Sequence, residues 1–148
     1  YAKELGVDHD TLLRALVVAN LTTIHQKTSI GRLSAFCGAV SAGAGAGAGI
    51  AYLLDGSYDV IKHTVVNALG NVSGIVCDGA KASCAAKIAS AIEAAILGYH
   101  MYKNGQQFYR EDGIVGAGVE ATIANVGRMA RVGMKGTNEE IIKIMVGE

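Results

Sequence analysis

The sequence contains no proline and no tryptophan, and aromatic residues make up only 5% of its 148 positions. Without proline, no helix loses a backbone donor at an interior position. With so few large rings, the interior must be filled by small side chains brought close together. An excess of charge of either sign is also lacking: Lys+Arg and Asp+Glu each number 13, giving a formal net charge of zero. No basic stripe falls on one helix face, which argues against the electrostatic footprint of a nucleic-acid binder. The opening YAKELGV has neither an initiating methionine nor an apolar signal segment. The sequence therefore reads as a piece of a longer chain, and residues outside it are expected to matter.

What is present points to a folded helical domain. Hydrophobic residues reach 51%, which excludes a disordered chain, and glycine reaches 20. This length suits one domain over residues 1–148, in which roughly two thirds of the unfolded surface is buried. Three cysteines without signal features favour a reducing compartment, so a cytoplasmic location is expected. Their odd number excludes complete internal pairing. Taken singly, each is expected to be a small buried hydrophobe.

Periodicity is helical nearly throughout. Asp8 or Asp10 can cap a first helix carrying Leu12, Leu13, Leu16, Val17, Leu21 and Ile24 at i, i+3, i+4 spacing, ending near Lys27 to Gly31. A second segment, Leu33 to Leu54, has no charged residue and closes on Asp55-Gly56. A third runs from Ser57 or Asp59 to Leu69, stopped by Gly70. The alanine-rich stretch from Ala82 to Met101 predicts a helix broken at Asn104-Gly105. Asp112 can cap another from about Ile114 to Val132, and Thr137 with Glu140 forms a capping box ahead of a last helix. The fold class expected is all-α, a bundle of about six helices around a central Gly/Ala-rich helix.

That central segment reads SAFCGAVSAGAGAGAGI over residues 34 to 50. Alternation at period two suits a strand, but the repeat sits inside a block of 22 uncharged residues with helical neighbours. On a helix, Gly43 and Gly47 share one side while Gly45 and Gly49 lie about 200° of rotation away. Two faces then admit close helix contact. A phosphate loop would need a Lys-Ser/Thr ending and a preceding strand, neither of which is present. A membrane span meets the length criterion, yet glycine and alanine contribute little transfer energy, so a buried helix of a soluble bundle is preferred.

Chemistry is best sought at Cys37, Cys77 and Cys84. Cys77 and Cys84 are seven residues apart around a Gly79 turn, and Cys37 lies 40 residues upstream of Cys77. This spacing matches neither a zinc ribbon nor a ferredoxin run. Three thiolates without an obvious fourth protein ligand suit a centre that keeps one position open for Lewis-acid chemistry. His9, His25, His63 and His100 are scattered without ligand spacing and read as structural or exposed.

Two blocks, IGRLSAFCGAVSAGAGAGAGIAYLL and NVSGIVCDGAKASCAAKIA, together resemble the C-terminal part of the L-cysteine desulfidase family, related to the iron-sulfur L-serine dehydratase α domain. The resemblance extends over essentially the whole sequence. It implies that Cys37, Cys77 and Cys84 bind three irons of a 4Fe-4S cluster, with the fourth iron open to substrate. It further implies β-elimination from L-cysteine, giving sulfide, pyruvate and ammonia, or from L-serine, giving pyruvate and ammonia. The base proposed in the desulfidase family is a cysteine of the N-terminal region, outside this sequence. The chain alone is accordingly expected to hold a cluster without turning over.

Around the motif, Asp78 reads as a helix cap and Lys81 as a solvated charge. Their functional alternative is that the helix after Asp78 directs its N-terminus at cluster or substrate, helped by Lys81. Ser34, Asn71, Asp78 and Lys81 are the candidate substrate-binding residues, and Arg32, Asn67 and Ser73 are further candidates for the pocket lining. The expected partners are an amino-acid substrate and the N-terminal region of the same protein, with no nucleic acid and no membrane; homo-oligomerisation is left open. Two rival readings remain open at this level. One is a structural or membrane-packing helical module with buried, non-ligand cysteines, and the other is a regulatory amino-acid-binding domain without a cluster.

Overall fold

The computed structural model describes all of residues 1–148 and contains seven helices and no strand. A single turn α1 (Ala2–Leu5) precedes α2 (His9–Ile30), α3 (Gly38–Leu54), α4 (Tyr58–Val72), α5 (Cys84–Lys103), α6 (Val119–Arg128) and α7 (Lys135–Val146). A wide π-helical turn, Met129–Gly133, joins α6 to α7. The all-α bundle built on a glycine helix is thus the observed fold. None of these helices is long and apolar enough to cross a membrane.

α3 is the axis of the bundle and packs against α2, α4 and α5. Its glycines divide as their helical spacing requires. A methyl group on Gly43 would meet Ala91 Cβ of α5 at 2.5 Å, and one on Gly47 would overlap Ala95 of the same helix. On the opposite side, Gly45 would meet the Ala19 carbonyl oxygen at 2.6 Å and Gly49 the Ala15 carbonyl oxygen at 2.9 Å, both on α2. Backbone therefore lies on backbone along both faces, and the surrounding core is filled by Ile30, Phe36, Val40, Val65, Leu69, Ile123 and Val126.

This close approach sets the orientation of α2. Asp8 caps the helix, accepting from the Thr11 N–H at 2.8 Å. Yet the residues buried on α2 are Ala15, Gln26 and Ile30, while Leu13, Leu16, Val17, Leu21 and Ile24 face outward, each 46–60% exposed. Only the small-residue side of α2 fits against Gly45 and Gly49; the branched side would hold the helices apart.

Four expected boundaries move for identifiable reasons. The helix predicted from Leu33 starts at Gly38, because the strand-like residues 35–37 pair with 75–77 through an antiparallel bridge between Phe36 and Val76. Gly70 does not stop α4, which continues to Val72 with Gly70 packed under the Phe108 ring. Asp112 caps no helix: its carboxylate accepts from the Tyr109 N–H at 2.6 Å, and α6 begins only after Gly118. Thr137 and Glu140 form no capping box, since α7 already starts at Lys135 out of the π-helical turn and Glu140 pairs with Lys143.

Candidate metal centre

The bridge between Phe36 and Val76 is the local device that brings two cysteines from distant parts of the chain together. The Cys37 N–H donates to the Ile75 carbonyl at 3.1 Å, and the Cys77 N–H to the Ala35 carbonyl at 2.6 Å. In such a ladder residues 37 and 77 are diagonal neighbours on one face, with Phe36 and Val76 on the other. Diagonal β-carbons stand about 7 Å apart, too far for a disulfide. All three cysteines are free thiols.

The third thiol arrives on α5. Cys84 is the first residue of that helix, and its Sγ lies 3.5 Å from both the Gly79 carbonyl oxygen and the Lys81 nitrogen. The loop turns at Gly79, whose φ of 91° lies in the left-handed region that favours glycine. The trio grades from core to surface: Cys37 is 4% exposed within the hydrophobic core, Cys77 packs against that core half-buried, and Cys84 is half-buried at the loop's end.

Two long helices begin at these residues. Cys37 is the N-cap of α3 and Cys84 opens α5, and neither helix start has a side-chain cap. The N–H groups of Gly38 and Ala39 take no protein partner. Helix N-termini carry partial positive charge and free donors, an environment that favours thiolates and anionic groups. Soft sulfur donors at two uncapped helix starts fit an iron-sulfur cluster.

No group of three or more His, Cys, Asp or Glu side chains is gathered closely enough to hold a single metal ion. That arrangement is what a mononuclear site needs, with every ligand atom about 2.0–2.3 Å from one centre. Cluster cysteines bind different irons and stand further apart. The diagonal placement of Cys37 and Cys77 leaves room for the wider spacing.

The other candidate residues separate. Asp78 is not a helix cap; it pairs with Lys87 at 2.5 Å, and Ser83 occupies the N-cap position of α5. That hydrogen bond holds the Asp78 carboxyl below the ordinary carboxylate range and raises the Lys87 ammonium above its usual value, the charges of Cys37 and Cys84 adding to the latter. Lys81 is exposed, and it approaches the centre through its backbone nitrogen. Ser34 is a structural tie, donating to the Ala130 carbonyl at 2.8 Å and accepting from the Phe36 N–H at 3.1 Å. Asn71 is exposed on the last turn of α4. Asn67 is buried, 1% exposed, and joins α5 through the Gly98 carbonyl and the following loop through the Phe108 N–H. The histidines are structural or exposed, with His25 on Glu120 and His63 stacked on Tyr102.

Beside Cys77 opens a cleft of ≈ 380 Å³ between the segment after α2 and the inner side of α7. Lys27, Arg32, Ser34, Gly38 and Asn138 supply its polar lining, and Phe36, Ile141 and Met145 form part of its apolar wall. It contains two cations, neither in an ion pair, and no carboxylate. Lys27 and Asn138 were not singled out from the sequence, because their elements carry no motif. Lys87 was overlooked as well, although it stands three residues after Cys84, one turn along a predicted helix.

The fold defines an all-helical domain with Cys37 and Cys84 at the starts of two of its helices and Cys77 on the bridge beside Cys37. The chain belongs to the family described as "Serine dehydratase alpha chain", whose match covers residues 1–143. It is 64% identical over 148 residues to a UPF0597 protein of Desulfitobacterium hafniense, covering 100% of this chain and 34% of that one. Similar proteins from Lachnoclostridium phytofermentans and Treponema denticola, also named UPF0597, are 54% and 51% identical over 146 residues, covering 99% of this chain and 35% and 34% of theirs. The chain therefore spans about a third of the length of these curated relatives. No solved structure matches it.

Proposed function

We propose that this chain is the cluster-binding part of an iron-sulfur lyase that eliminates the β-substituent of L-cysteine or L-serine, with Cys37, Cys77 and Cys84 as ligands of a 4Fe-4S cluster. Membership of the serine dehydratase α family supports the lyase class. The observation that carries the ligand assignment is the bridge that sets Cys37 and Cys77 on one face while Cys84 opens α5. When bound, the cluster supplies an iron with an open position, a Lewis acid for the substrate carboxylate and leaving group.

The protein's own groups supply orientation. Lys27, Arg32 and the free N–H groups at the start of α3 offer positive charge to a carboxylate in the cleft next to Cys77. Ser34, held by Ala130 and the Phe36 N–H, fixes the turn that delivers Cys37. Asp78 and Lys87 neutralise each other, so neither stands free as the base for the α-proton. That base is assigned to another part of the full-length protein. Free thiols of this kind suit a reducing cytoplasm.

Anaerobic reconstitution with iron and sulfide tests the proposal. The expected product is brown and contains four irons and four sulfides per chain, and Cys37→Ser, Cys77→Ser or Cys84→Ser each abolishes the colour. A colourless protein whose three thiols all remain open to alkylation would remove the site. In a full-length family member, assays for sulfide from cysteine and pyruvate from serine then identify the substrate.

A further inference from the structure

The segment between Cys77 and Cys84 is short of anchors. Within residues 76–83 the backbone makes one bond to a distant part of the chain, from the Cys77 N–H to Ala35, while the Cys84 thiol hydrogen-bonds only within its own loop. One side chain from outside the loop makes hydrogen bonds to it. Lys87 donates from Nζ to the Val76 carbonyl at 3.0 Å and to Asp78 Oδ1 at 2.5 Å. Its side chain is 19% exposed, less than any other lysine in an ion pair here. Because Cys84 and Lys87 are one turn apart on α5, they lie on the same side of that helix.

We infer that Lys87 is a positioning residue of the cysteine centre: its ammonium clamps Val76 and Asp78 to the first turn of α5, fixing Cys77 against Cys84. The inference takes the three cysteines as the ligand set, as proposed above, but the clamp itself is a property of the metal-free chain. Lysine suits the task because its long stem spans the gap from helix to loop while one head group serves both acceptors. Partners that orient ligands in this way commonly change metal affinity by ten- to a hundredfold when removed.

The charge gives the pair a second signature. An anionic cluster is harder to reduce when a nearby positive charge is removed and easier when a negative one is. Lys87→Met leaves Asp78 unpaired beside the ligands, whereas Asp78→Asn leaves Lys87 unpaired. The two variants remove opposite charges of the same ion pair and should move the reduction potential in opposite directions.

The test uses the wild-type chain, Lys87→Met, Lys87→Arg and Asp78→Asn, each with and without reconstitution. In the metal-free proteins, hydrogen exchange at residues 76–84 is expected to speed up in Lys87→Met and Asp78→Asn relative to exchange in α3 and α4, and to be largely restored in Lys87→Arg. In the reconstituted proteins, Lys87→Met is expected to lose iron to a chelator roughly ten- to a hundredfold faster. Its reduction potential should fall while that of Asp78→Asn rises. Unchanged exchange, or equal iron retention with unmoved potentials, overturns the inference. If the wild-type chain takes up no cluster and exchange still increases in both variants, the clamp stands and the cluster assignment falls. If Lys87→Met does not fold, Asp78→Asn decides the case by the same readings.

Discussion

At Gly45 a single added methyl group would sit 2.6 Å from the Ala19 carbonyl oxygen, a contact that only a shift of α2 can relieve. Gly45→Ala is therefore expected to destabilise the chain by about 1–3 kcal/mol despite alanine's better helix propensity. Gly136, in the first turn of α7, has open space around its Cβ position, and Gly136→Ala should stabilise by about 0.5–1 kcal/mol. Urea titrations of the two variants check both signs. Reading the sequence by residue succeeded where identity decides geometry, as with the two glycine faces of α3. It failed for Asn67, where a polar residue was taken for a pocket group. Its amide in fact bonds Gly98 and Phe108, and partners 31 and 41 positions away leave no local trace.

The orientation of α2 is a property of the element. Its most hydrophobic side faces outward because the glycine helix accepts only alanine and threonine at contact distance. Leu21→Ser, at a position 60% exposed, should change stability by no more than about 0.5 kcal/mol, while Ala15→Leu, at 3%, should cost about 1–3 kcal/mol or prevent folding. Thermal unfolding of the pair reports which side is packed. Hydrophobic periodicity located α2 but not its facing, which depends on a partner surface made of glycine.

Between α3 and α4, Asp55 accepts from the Ser57 N–H at 3.1 Å and from Lys103 of α5 at 2.9 Å. Hydrogen bonds from Ser57 and Lys103 lower its carboxyl from 3.8 to about 2. A carboxyl depressed in the folded state contributes stability that is complete above its unfolded value and disappears as pH falls through the folded one. Asp55 should thus steepen the loss of stability between pH 3.8 and about 2, and Asp55→Asn should flatten it. Denaturant midpoints measured across that window provide the comparison. The turn at Asp55-Gly56 was legible from its residue types alone; the reach of Lys103 across 48 positions was not.

For the whole molecule, the proposed cysteine centre draws on the ends of three elements: the start of α3, the residues after α4 and the start of α5. Residue type singled out the three cysteines, whose spacing matches neither a zinc ribbon nor a ferredoxin run, and resemblance supplied the chemistry expected of them. The bridge that sets Cys37 and Cys77 on one face was hidden because single residues pairing across 40 positions have no strand pattern. The reading of Asp78 as a cap fails because its carboxylate pairs with Lys87, a residue that carries no motif of its own. The chain represents about a third of its relatives' length.

The central claim is that three cysteines leave one iron of a cluster open to substrate. Mössbauer spectroscopy of the anaerobically reconstituted chain, before and after addition of L-cysteine or L-serine, tests it most directly. The account predicts one iron site distinct from the other three, whose signal alone shifts when the amino acid is added. Four equivalent irons, or iron without a cluster signature, would contradict it.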